Sequence, residues 1–88
     1  MKIKEGYLLR EVAGSFVVIP VEKSAVDFNG MLTLSETGAL LWKTLQNGAT
    51  HDELIKAMLE EYDIDEKTAA EDIDAFVDKL RNSGFLEE

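Results

Sequence analysis

Few side chains in this sequence are equipped for catalysis. His51 is the only histidine and there is no cysteine. Thiol nucleophiles, disulfides and metal sites built from thiolates or several imidazoles are therefore excluded. Acid and base work would fall to carboxylates. The densest group, Glu60, Glu61, Asp63, Asp65 and Glu66, lacks the Asp-x-Asp-x-Asp-Gly loop with a distal Glu that wraps a calcium ion, and reads as a solvated acidic turn. The six glycines are scattered rather than gathered into a phosphate loop. A chain of 88 residues can hardly enclose the cleft that a pair of catalytic carboxylates needs. The expectation is no catalytic residue, no metal and no cofactor.

Another kind of chemistry is suggested by Met31-Leu32-Thr33-Leu34-Ser35-Glu36-Thr37, where a strand pattern gives way to a helix pattern within a few residues. A short strand followed at once by a helix leaves one sheet edge unpaired. Such an edge is a row of N–H and C=O groups, usually a liability. It is also a route to peptide capture by strand addition. The groups on offer are the backbone of Met31, Leu32, Thr33 and Leu34, with alternate side chains adding specificity.

The surrounding elements must hold that strand in place. Tyr7 to Val12 reads as a first strand, and Ala13-Gly14 as a tight turn in which Gly14 takes positive φ. Ser15 to Ile19 is rich in β-branched and aromatic residues and reads as a second strand, closed by Pro20. Val21 to Phe28 is a polar connection, and Asn29-Gly30 a turn before the third strand. Ser35 is placed to cap a first helix whose apolar positions are Ala39, Leu40, Leu41, Trp42 and Leu45, with Gly48 as its stop. Thr50 and Glu53 form a capping box for a second helix carrying Leu54, Ile55, Met58 and Leu59. Asp63 or Asp65 caps the last helix, where Ala69, Ala70, Ile73, Phe76, Val77 and Leu80 recur three and four apart. Asn82-Ser83-Gly84 ends it, and Phe85-Leu86 folds back on the core. Three strands followed by three helices predict one α+β domain over residues 1–88, a three-stranded antiparallel sheet with a winged helix-turn-helix-like arrangement.

Charge narrows the partners. Residues 1–44 hold five basic and five acidic groups, so the net charge of −9 lies entirely in residues 45–88. That half repels phosphate backbones and favours neutral or basic partners. It is a candidate docking face for a basic protein surface, in which case salt should weaken the complex. The alternative reading, a winged-helix DNA-binding regulator, needs a basic recognition helix. The last helix offers Lys67, Lys79 and Arg81 against Glu66, Glu71, Asp72, Asp74 and Asp78. No apolar run approaches the ~20 residues of a membrane helix, and the first residues lack a secretory pattern. A cytoplasmic protein that binds neither nucleic acid nor membrane is expected.

The order of these elements and their signatures resembles the PqqD-like domains, also called RiPP recognition elements. The match runs through Leu9-Arg10, Gly14, Leu34-Ser35-Glu36-Thr37-Gly38-Ala39, Leu41-Trp42, Leu45, Gly48-Ala49-Thr50, Glu53-Leu54, Leu59, Tyr62, Ala70, Asp72-Ile73, Phe76-Val77, Leu80 and Gly84-Phe85-Leu86. Nearly the whole chain is covered. The Thr37 to Trp42 helix start is closer to the broad family than to its founding member in pyrroloquinoline quinone synthesis, so the resemblance implies the domain type and not that pathway. It implies a non-catalytic domain that binds the leader segment of a ribosomally made precursor peptide. The domain then presents that peptide to a modifying enzyme, often a radical SAM enzyme. The leader would lie on the third strand, Met31 to Leu34, and against one flank of the last helix. Ala70, Asp74, Val77 and Arg81 flank Ile73 on one side of that helix, and Asp72, Phe76 and Lys79 on the other. The site residues expected on this basis are Met31, Leu32, Thr33, Leu34, Ala70, Ile73, Asp74, Val77 and Arg81.

Overall fold

In the computed structural model residues 1–21 and 32–87 are described; the polar connection expected from residue 22 on, the Asn29-Gly30 turn and Met31 lie outside them. Strands β2 (Tyr7–Val12) and β3 (Ser15–Pro20) pair antiparallel from Tyr7↔Pro20 to Val12↔Ser15. Ala13 and Gly14 have φ of +51° and +83°. Two successive left-handed residues make the turn whose twist suits a two-residue hairpin loop. Ala13 occupies a region that an L side chain enters at a cost of about 1–2 kcal/mol. Strand β4 (Leu32–Leu34) pairs with the other side of β3, Phe16↔Leu34 and Val18↔Leu32, so the sheet order is β2-β3-β4. These strands belong to a compact unit spanning Glu5–Ala39.

A second unit comprises Met1–Lys4 and Leu40–Glu88. Helix α1 (Glu36–Gln46) starts in the first unit and continues into this one; α2 (His51–Glu61) and α3 (Glu66–Asn82) lie wholly within it. The α+β order expected from the sequence, antiparallel sheet then three helices, is the order the chain adopts. Helix α2 packs along α3, and Leu54, Met58, Ala69, Ile73, Val77 and Leu80 are buried. Trp42 and Phe85 are also buried and meet edge to face, ring centroids 5.6 Å apart at 72°, the geometry that ring quadrupoles favour.

The helix ends follow local chemistry. The Ser35 hydroxyl accepts the Gly38 N–H (3.1 Å) and the Ser35 carbonyl accepts that of Ala39 (2.9 Å). Thr50 and Glu53 exchange side-chain-to-backbone bonds as a complete capping box. Of the two aspartates considered for α3, Asp65 is the N-cap residue. After α3, Gly84 at φ +81° donates to the Arg81 carbonyl and Phe85 to that of Leu80. This pair of bonds is the Schellman ending, and it delivers Phe85 to Trp42. Two short strands lie outside the three expected from the sequence. Strand β1 (Lys2–Ile3) pairs with β5 (Leu86–Glu87) in a separate two-stranded sheet, extended by a bond from the Lys4 N–H to the Phe85 carbonyl.

Candidate functional site

The hydrogen-bond parity of the sheet decides which backbone groups of β4 are exposed. Antiparallel pairs alternate between residues that exchange both backbone bonds and residues that exchange none. The Val21 N–H donates to the Gly6 carbonyl at 2.8 Å. Counting inward along the register, Leu8–Ile19, Arg10–Val17 and Val12–Ser15 are bonded pairs. Phe16 and Val18 must then turn their N–H and C=O groups the other way, toward β4, where they meet Leu34 and Leu32. The backbone groups of Leu32 and Leu34 are thus engaged within the sheet. Within β4, Thr33 alone turns its N–H and C=O to the outer edge, and among the described residues no strand pairs there.

Side chains alternate along the same strand. Leu34 is buried, Leu32 half-buried and Thr33 exposed. Leu32 and Leu34 share a face with Phe16 and Val18, their partners in the register, and Thr33 shares the opposite face with Val17 and Arg10. Met31, expected as the first residue of this site, lies outside the described residues.

In the second unit, α3 presents a mixed surface. Ile73 is fully buried and Val77 nearly so. Their part is to hold the helix from inside. The flank they belong to exposes Asp74 and Arg81, with Ala70 half-buried. The Asp74 Oδ1 lies 2.7 Å from His51 Nε2, which ties the middle of α3 to the start of α2. Arg81 Nη1 donates to Asp78 Oδ1 at 3.2 Å. The periodicity of α3 locates its apolar stripe, but only packing divides that stripe into core and surface. Glu66, Glu71, Asp72, Asp74 and Asp78 are all exposed, against Lys67, Lys79 and Arg81. A phosphate backbone brought to this helix meets net negative charge.

Glu53 is held below its usual carboxyl value of 4.5, first by the Thr50 backbone N–H and then by the Thr50 hydroxyl, which is capping chemistry. Among the described residues no three His, Asp or Glu side chains converge as metal ligands, and no helix is long and apolar enough to cross a membrane.

The chain is similar to known proteins in two respects. The family model described as Coenzyme PQQ synthesis protein D (PqqD) matches residues 15–86. The fold is similar to a solved structure described as TbiB1 in complex with the TbiA(beta) leader peptide, with TM-score 0.77 and 24% identity over 99% of this chain and 95% of that one. It is likewise similar to a lasso peptide synthetase B1 complexed with the leader peptide, with TM-score 0.75 and 20% identity over 99% and 96% of the two chains. No curated protein matches the sequence significantly.

Proposed function

This chain belongs to the PqqD family, and from that membership we propose that it binds the leader segment of a ribosomally made precursor peptide and presents it to a modifying enzyme. The observation that carries the proposal is the outer edge of β4, where Thr33 offers an N–H and a C=O with no strand beside them among the described residues. An extended peptide satisfies those groups and continues the sheet as a further strand. The two similar structures, each solved with a leader peptide, support the same reading. The exposed flank of α3, Ala70, Asp74 and Arg81, is the second contact surface of the proposal.

The domain acts in the cytoplasm as a peptide chaperone with no chemistry of its own. Its partner is a modifying enzyme, which in proteins of this resemblance is often a radical SAM enzyme. The acidic half docks on that enzyme's basic surface, and raising the salt concentration weakens the complex. Ordering a short leader on binding costs conformational entropy, so affinity on the order of micromolar is expected. The DNA-binding alternative is not proposed, because the exposed surface of α3 is acidic.

The test is a titration of isotope-labelled protein with a leader peptide taken from a short reading frame encoded beside its gene, followed by amide NMR shifts. Saturable shifts on Thr33 to Ser35 and on α3 are the expected result. Absence of shifts with the leader, together with saturable shifts on duplex DNA at moderate salt, would overturn the proposal.

A further inference from the structure

We infer that, among the described residues of β4, Thr33 sets the register of the bound peptide, and that the segment it selects has the pattern apolar–x–apolar with the backbone of its middle residue bonded to Thr33. The inference rests on the strand-addition reading and deepens it. A three-residue strand that turns one residue outward can form one bonded pair. In antiparallel addition, residue x exchanges both of its backbone bonds with Thr33, closing one ring from a single ligand residue. Parallel addition would divide the same two bonds between the residues on either side of x, and so must order three residues for the same gain. The other strands of this sheet are antiparallel throughout, and a further antiparallel strand continues their twist.

The side-chain pattern follows from the rows that run across the sheet. Leu9, Val18 and Leu32 form one row, and Phe16 and Leu34 end another on the same face. The ligand residues on either side of x extend these rows, next to half-buried Leu32 and buried Leu34. Apolar side chains there cover surface that water now reaches. Residue x falls on the opposite face beside exposed Thr33, with Val17 next in its row. A β-branched or hydroxyl side chain suits that pairing. The two flanking residues turn their own N–H groups away from β4.

The experiment is an N-methyl scan of the leader peptide used in the titration, one amide at a time, read as dissociation constants with unmodified protein. The expected result alternates with a period of two. Methylation at x weakens binding about tenfold, the value of one lost hydrogen bond and its clash, and methylation at either neighbour changes it less than about threefold. On the protein side, Thr33→Pro removes the outward N–H, which no bond to β3 uses, and is expected to weaken binding about tenfold. If binding persists but the loss falls instead on the residue following x, whose N–H a parallel strand would donate to the Thr33 carbonyl, the antiparallel register is wrong and strand addition stands. If binding persists and no position in the scan matters, strand addition itself is overturned along with the register.

Discussion

Phe85→Ala tests the core of the helical unit. The Phe85 ring is 1% exposed and meets the edge of fully buried Trp42, centroids 5.6 Å apart. Its backbone bonds, N–H to the Leu80 carbonyl and C=O from the Lys4 N–H, are both 2.9 Å. Alanine retains these bonds, so the substitution removes packing and leaves the Schellman ending in place. Core Phe→Ala changes cost about 3–5 kcal/mol, combining lost transfer energy with the cavity left behind. The edge-to-face contact accounts for about 0.5–1.5 kcal/mol of that. A domain of 88 residues has roughly 4–13 kcal/mol in all. The variant should therefore lose about a quarter or more of its stability. Its Tm should fall by about 12–40 °C, from about 4–8 °C per kcal/mol at this size. Urea unfolding followed by circular dichroism and by fluorescence measures the loss, and Trp42, the only tryptophan, reports from beside the deleted ring. A loss below about 1 kcal/mol with an unchanged denaturant slope would refute the reasoning, since the ring could not then be core.

Four smaller predictions follow from local geometry. Thr50→Ala breaks the capping box of α2 and should cost about 1 kcal/mol in urea unfolding at neutral pH. Because the folded-state carboxyl of Glu53 sits below its usual value, its contribution is present above the unfolded value and lost as pH falls through the folded one. The stability gap between the parent and Glu53→Ala should therefore narrow below about pH 4.5; a gap that widens in acid would contradict the assignment. Ala13→Asn places a residue that tolerates positive φ at +51° ahead of Gly14, and should raise stability by about 0.5–1 kcal/mol. Unchanged or lower stability would show that the turn carries no strain. Asp74→Asn weakens the His51 tie, whose side chains are 42% and 66% exposed; calorimetry should find a change under about 1 kcal/mol that shrinks further in salt.

The sequence by itself determined the features whose causes lie within a few residues. Tyr7 to Val12 and Ser15 onward read as strands from composition, and Ala13-Gly14 as their turn, because positive φ is a property of single residues. The Ser35 and Thr50 caps, the stop at Gly48 and the ending at Gly84 were legible for the same reason, since a helix end is satisfied from positions within one turn of itself. The family signature was legible too, because it consists of such local features in order. What only the tertiary structure decided depends on distant partners. Strands β1 and β5 are two residues each, too short for any periodicity, and exist because each supplies the other's bonds. In α3 the spacing marked one stripe from Ala70 to Arg81, and packing alone buried Ile73 and Val77 while leaving Asp74 and Arg81 in water. The candidate site itself is the clearest case. Nothing in Leu32-Thr33-Leu34 says which residue faces outward with its backbone. That follows from the pairing of β4 with β3 and of β3 with β2, and a slip of one residue would hand the role to Leu32 or Leu34.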